Sequence, residues 1–358
     1  VRIAYTLEQC WHRVPGGTGI AAIEAGRELA HIDGVEMVGV AGRHMRPPTP
    51  GFAPSLPVAS LPLGGPLLYE AWLRLKWPKA ESVVEGADLV HATTIITPAT
   101  SLPLVSTIHD LAFIRHPEFF TDHGNKVFNK SLNILRDSAA MLLCSSLATI
   151  EDCTTAGFEP SRLRHVPLGV RIHDVSDADV DRVRTTYSLP SDFILFVGTL
   201  EPRKNLTRLV EALSSLPDAP PLVVVGMEGW GDAVVATSHD VRFTGFVPAA
   251  DLPALYRACS VFAYPSILEG YGLPILEAMS QGAPVVTSRG TSTEEVAGGA
   301  AVLIDPLNVE SIANGIVTAM HNASDLRVRG IAHAQSCSWK RTAELTVQAY
   351  RDVLGGAS

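Results

Sequence analysis

Two carboxylates, Glu269 and Glu277, bracket a glycine-rich turn in the run Pro265-Ser-Ile-Leu-Glu-Gly-Tyr-Gly-Leu-Pro-Ile-Leu-Glu-Ala-Met-Ser-Gln-Gly-Ala-Pro284. An ionised carboxylate only accepts hydrogen bonds, and it repels phosphate, so a pair of them needs a neutral partner rich in O–H donors. Vicinal hydroxyls meet that need. Gly270 and Gly272 let the backbone pass close to a ligand, and a helix opening there presents unpaired N–H groups to phosphate or sugar oxygens. Arg203 and Lys204, well upstream, supply the positive charge that a diphosphate requires. The ligand that satisfies all of these groups is part phosphate and part polyol, such as a nucleotide sugar. The competing reading is a buried strand, a loop, two surface glutamates and two surface cations.

The elements around these residues are legible from their patterns. Val261-Phe262-Ala263-Tyr264 is a buried strand, and Ile275 to Gln281 is a short helix between Pro274, suited to a first turn, and Gly282, suited to a left-handed cap. Phe193 to Thr199, which includes Gly198, is a second buried strand. Glu201-Pro202-Arg203-Lys204-Asn205 follows at its carboxyl end, ahead of a helix carrying Leu206, Leu209, Val210 and Leu213. Further strands are expected at 222–226, 241–247, 285–288 and 301–305, giving a doubly wound domain. Phe246 and Val247 close one strand and lie either against a flat base or in the core. Thr291 and Ser292 fit helix caps better than ligands.

The first half repeats the alternation, with strands at 1–7, 35–41, 88–92, 105–109, 141–145 and 164–168. Pro15-Gly16-Gly17-Thr18-Gly19 follows the first strand and precedes a helix starting near Gly19. Its spacing matches neither the dinucleotide fingerprint nor the P-loop, so an anion-binding turn and a structural turn both stand. The segment 46–66 is proline-rich and reads as an extended surface loop. Tyr69 to Trp77 interleaves aromatics, leucines and cations. It reads as a helix packed on the sheet or as a patch that rests on a membrane or a lipid-linked acceptor. His109 ends a strand, where open α/β sheets place ligands, although a lone histidine there also reads as structural. Ser145-Ser146 is suited to cap a helix over 147–156. The charged stretch 174–188 reads as a linker, and its Asp177-Ala178-Asp179 fits a helix start rather than a metal-bound diphosphate. An amphipathic helix over 339–354 is expected to brace the first domain. The domains are thus 1–172, with that helix, and 173–338.

Composition narrows the classes. A chain of 358 residues with 46% apolar content supplies two cores, and a formal charge of -9 argues against a nucleic-acid partner. The five cysteines are scattered without a Cys-x-x-Cys pair, which points away from disulfides and zinc and toward the cytoplasm. No apolar stretch approaches a membrane span, and the chain enters a strand at once, so no leader is expected.

Val197-Gly198-Thr199-Leu200-Glu201-Pro202-Arg203-Lys204-Asn205 and Glu269-Gly270-Tyr271-Gly272-Leu273-Pro274 to Glu277, with Pro284-Val285-Val286 and Asp305-Pro306, resemble retaining glycosyltransferases of GT-B fold, family 4. The resemblance implies two doubly wound Rossmann-like domains facing an interdomain cleft, with the donor held mainly by the second. It implies that Glu277 binds the ribose, Glu269 lies beside the donor sugar, and Arg203 and Lys204 hold the diphosphate. Gly16 and Gly17 would approach the diphosphate, His109 would meet the transferred sugar, and the backbone from Gly270 through Tyr271 and Gly272 to Leu273 would contact both parts of the donor. Gly198, Thr199, Phe246 and Val247 complete the expected donor site, with no metal and no cofactor beyond the donor.

The wording of the Thr199 to Asn205 segment and of His109-Asp110-Leu111 looks like bacterial mannosyltransferases of polysaccharide assembly, implying GDP-mannose and a glycan or lipid-linked acceptor. The implied location is cytoplasmic, with peripheral contact at the inner membrane face. A UDP-sugar donor such as UDP-glucose, a nucleotide-sugar epimerase of the same fold and a non-catalytic nucleotide-sugar-binding relative are the alternatives.

Overall fold

The computed structural model describes residues 1–226 and 239–356. They form two compact units, Val1–Gly169 together with Trp339–Ser358, and Val170–Ser338.

The first unit is built on seven strands, β1 (Arg2–Thr6), β2 (Glu36–Gly42), β3 (Val58–Leu61), β4 (Leu89–Ala92), β5 (Leu104–Ile108), β6 (Ala139–Cys144) and β7 (Leu163–His165). They pair in parallel in the order β3-β2-β1-β4-β5-β6-β7. A parallel sheet is covered on both faces, which is why β4 and β6 read as nearly unbroken apolar runs. One face packs Leu68, Trp72 and Leu132 over the sheet. The other face buries Ala343, Val347 and Tyr350 of the helix Trp339–Gly355 beside Ala22 and Ile23.

Two local expectations fail here. The proline-rich segment is not all surface loop, because Val58–Leu61 pairs with β2 in the register Gly39↔Val58. Proline is tolerated at the ends of an edge strand, so Pro57 and Pro62 flank β3 without breaking it. The helix after β1 also begins at Gly16 rather than Gly19 and runs to Leu29. Gly19 therefore lies inside it, and an added Cβ there would stand 2.8 Å from Pro15 and 3.0 Å from Phe52. Close packing is what requires glycine at that position.

Among its described residues the second unit has six strands, β8 (Ile194–Val197), β9 (Leu222–Val225), β10 (Val241–Gly245), β11 (Val261–Tyr264), β12 (Val285–Ser288) and β13 (Val302–Ile304). Their order is β10-β9-β8-β11-β12-β13, all parallel. The strand order reverses between β8 and β11. In such sheets the crevice beyond the carboxyl ends at the reversal is the natural ligand position. The loop carrying Arg203 and Lys204 leaves β8, and the loop carrying Glu269 leaves β11, so topology alone brings them together.

The stretch 174–188 falls within the second unit rather than joining the two. It contains the helix Asp177–Thr186, closed by a reciprocal cap in which Ser176 accepts from the Asp179 backbone and Asp179 accepts from that of Ser176. Asp177 pairs with Arg257 at 2.8 Å. Both acids thus have local partners, in keeping with a helix start. Among the described residues, no helix is long and apolar enough to cross a membrane.

Candidate active site

The loops after β8 and β11 are laced together through backbone as well as side chains. Ile267 N donates to Arg203 O at 2.8 Å. Asn205 sits in the left-handed region, φ 63, and is buried. That conformation costs an ordinary residue more than it costs asparagine. Asn205 Nδ2 donates to Pro265 O at 3.0 Å and to Pro306 O at 2.7 Å, which fixes the whole turn.

On this frame Glu269 lies between two cations. Lys204 Nζ is 2.6 Å from Glu269 Oε1, and Arg203 Nη1 is 2.9 Å from Glu269 Oε2. Lys204 also donates to Tyr264 Oη at 2.6 Å, and Arg203 Nε donates to Glu201 Oε2 at 2.7 Å. Two cations and two carboxylates sum to a formal charge of zero, so the group is a balanced network rather than a bare positive patch. Burial by itself would raise the Glu269 carboxyl, but Lys204 and Arg203 outweigh it and hold it down at about 2. Burial lowers the Lys204 ammonium, with Glu269 opposing that shift.

Glu277, eight residues further along, is set apart from this network by a different partner. It lies on the helix Leu273–Ser280, and Tyr256 Oη donates to its Oε2 at 3.1 Å. Burial raises the Glu277 carboxyl, and the Tyr256 hydrogen bond only partly opposes this. Gly272 caps that helix at φ 114 and Pro274 sits in its first turn, as the sequence suggests. Gly282 follows at φ 74 and ends it.

The remaining positions of the second unit are spread around this centre. Gly270 is half-buried, whereas Tyr271, Gly272 and Leu273 are buried at the helix start. Ser292 Oγ donates to Glu269 O at 2.7 Å and so anchors the turn from below. Thr291 is the N-cap of the helix Ser292–Ala297. Gly198 lies against the Lys204 stem, and an added Cβ would meet Lys204 Cε at 3.7 Å. Thr199 follows, half-buried. Val247 is core, whereas Phe246 is 68% exposed at the end of β10 and presents its ring to solvent.

In the first unit, His109 follows β5. Its Nε2 is 3.2 Å from Thr93 O, and a carbonyl only accepts, so Nε2 carries the proton. Burial lowers the His109 pKa, with Asp110 and the Thr93 bond opposing. The ring is therefore neutral at pH 7 and its Nδ1 is an acceptor. Gly16, at φ 61, and Gly17 form the exposed first turn of the helix Gly16–Leu29.

The sequence reading assigns no role to Glu201, Asn205, Tyr256 or Tyr264. Glu201 and Asn205 stand in the segment that carries the family resemblance, whereas the only signal of Tyr256 and Tyr264 is a hydroxyl in an apolar element. The Tyr264 hydroxyl ends the run Val-Phe-Ala-Tyr, where a plain core strand would be served by phenylalanine.

Two doubly wound domains with this network at the switch point of the second have the architecture of GT-B glycosyltransferases. A structure of Anabaena HepE in complex with UDP and glucose superposes with a TM-score of 0.76, at 20% identity, over 98% of this chain and 99% of that one. The profile described as glycosyl transferases group 1 matches residues 179–336, and that described as glycosyltransferase family 4 matches residues 15–174. The Escherichia coli O-antigen chain mannosyltransferase B is 34% identical over 307 residues, 80% of each chain. The Escherichia coli serotype-specific mannosyltransferase WbdA is 28% identical over 285 residues, 73% of this chain and 35% of that protein. The chain belongs to glycosyltransferase family 4, and it is a glycosyltransferase.

Proposed function

We propose that the enzyme transfers mannose from GDP-mannose to a hydroxyl of a glycan or lipid-linked acceptor, with retention of anomeric configuration and without a bound metal. The observation that carries this reading is Glu269 held between Lys204 and Arg203 at the reversal of strand order. Departure of a nucleoside diphosphate builds negative charge, and two fixed cations with a helix start offset that charge without reorganising. The carboxylate between them keeps both cations in position before the donor arrives. Glu277 takes the ribose hydroxyls, and the turn from Gly270 to Leu273, with Gly198 and Thr199, lines the donor. Phe246 offers a face to the base. In the first unit, Gly16 and Gly17 offer backbone to the diphosphate, and neutral His109 accepts a hydroxyl of the transferred sugar.

No protein nucleophile is needed in this scheme. The acceptor hydroxyl attacks the anomeric carbon on the face that the diphosphate leaves, and the departing phosphate oxygen takes its proton. The choice of mannose rests on the 34% identical mannosyltransferase, named for O-antigen chains. A UDP-sugar donor is the second reading, favoured by HepE of the same fold, which is solved with UDP and glucose. Contact with the inner face of a membrane is supported by the helix Pro66–Leu75 and the two residues after it, where exposed Leu67, Leu75 and Trp77 stand with Arg74 and Lys76.

The test is proton NMR of the product formed from GDP-mannose and, in parallel, UDP-glucose with simple glycosyl acceptors. Preferential use of GDP-mannose and an α-anomeric product are expected. Inversion, or preference for UDP-glucose, overturns the corresponding part of the reading.

A further inference from the structure

Alternate residues of a strand point to one face, so Phe262 and Tyr264 of β11 stand side by side. Their rings stack at 5.6 Å with an interplanar angle of 23°. Tyr256, on the helix Leu252–Ala258, meets Phe262 edge-on at 5.2 Å and 90°. All three side chains are at most 1% exposed. They form a closed aromatic column whose two outer rings carry hydroxyls, and each hydroxyl reaches a different part of the candidate site. At one end Tyr256 Oη donates to Glu277 at 3.1 Å, and at the other Tyr264 Oη accepts from Lys204 at 2.6 Å.

A ring that only fills core gains nothing from a hydroxyl, since a buried hydroxyl is costly unless bonded. Here each hydroxyl is bonded, and each bond goes to a charged group with a proposed ligand role. We propose that Tyr256 and Tyr264 are positioning residues that act through Glu277 and Lys204, with Phe262 fixing the spacing between the ribose-binding and the diphosphate-binding ends. The proposal rests on the roles given above to Glu277 and Lys204. It goes beyond them by giving the distance between two ligand groups a physical cause in the core. It also assigns the tyrosines separable effects: Tyr256 governs recognition of the ribose hydroxyls, and Tyr264 that of the diphosphate.

The experiment is calorimetric titration of whichever of GDP or UDP binds the wild-type enzyme, with its 2′,3′-dideoxy analogue and its monophosphate, into wild type, Glu277→Gln, Lys204→Ala, Tyr256→Phe, Tyr264→Phe and Phe262→Leu. Tyr256→Phe is expected to shrink the ribo-to-dideoxy affinity ratio about tenfold and to leave the diphosphate-to-monophosphate ratio alone. Tyr264→Phe is expected to do the reverse. Phe262→Leu, which keeps the volume roughly but removes the middle ring, is expected to reduce both ratios and keeps the test open if a tyrosine variant folds poorly. In Tyr256→Phe the acid limb of nucleotide binding also moves to higher pH, because the hydroxyl that opposes the raised Glu277 carboxyl is gone.

If Glu277→Gln and Lys204→Ala change their respective ratios while the tyrosine variants and Phe262→Leu change neither, the column is only packing and the proposal is overturned. If Glu277→Gln and Lys204→Ala themselves leave the ratios intact, the underlying roles are wrong instead.

Discussion

Lys204 Nζ and Glu269 Oε1 lie 2.6 Å apart with their side chains 9% and 7% exposed, so the cation assigned to the diphosphate is already engaged by the acid assigned to the sugar. A buried ion pair adds little net stability, because desolvation offsets most of the attraction, but losing one partner strands the other. What the pair gains is position. Arg203 on the second Glu269 oxygen and Tyr264 on the ammonium leave each group little conformational freedom, which is what a charge-stabilising site needs before substrate arrives.

Lys204→Ala is expected to weaken nucleoside diphosphate binding by about 10- to 100-fold, the loss of one charge-assisted contact to phosphate. Calorimetry checks it. Unchanged affinity contradicts a diphosphate role.

Acid stability reports on Glu269. Its folded pKa of about 2 lies below the ordinary value of 4.5, so its stabilising contribution is present above about 4.5 and is lost as pH falls toward 2. The stability gap between wild type and Glu269→Gln, read from urea midpoints, is expected to be widest above pH 5 and to close with acid. A gap that does not vary with pH contradicts the ion-paired state.

Glu277 carries the opposite sign. Its carboxyl is raised by burial, so ionising it costs stability as pH rises through the shifted value. Glu277→Gln removes that cost and keeps an acceptor for Tyr256. Its Tm at pH 8 is expected to rise while nucleotide affinity falls. A lower Tm with intact binding contradicts both assignments.

His109 is expected to act as a neutral ring. Its pKa is lowered, so the acid limb of kcat/KM attributable to it falls below the ordinary imidazole value of 6.5, and His109→Phe removes that limb. An acid limb above 6.5 that survives the substitution contradicts its role.

Much of this was readable because β8 and β11 announce themselves as apolar runs, each followed by polar residues that no core strand needs. Glu269, Gly270 and Gly272 gave the turn, and Pro274 with Gly282 gave its helix, since each residue type has a narrow conformational preference. Strand β3 was hidden because an edge strand between two prolines lacks the long apolar run of its buried neighbours. The helix start at Gly16 was hidden because the low helix propensity of glycine makes Gly16 to Gly19 read as a turn. Tyr256 and Tyr264 were invisible as site residues because hydroxyl direction depends on which elements pack together, and a linear pattern does not carry that. The balanced charge of the Glu201–Arg203–Lys204–Glu269 network likewise exists only once two loops meet.

Glu269, fixed between Lys204 and Arg203, is proposed to serve the transfer step itself. Single-turnover release of GDP from GDP-mannose, wild type against Glu269→Gln, isolates that step. Release by wild type is expected, with a rate about 100-fold or more slower in the variant and donor affinity altered far less. Equal rates in the two proteins, or no release from GDP-mannose by the wild type, would contradict it.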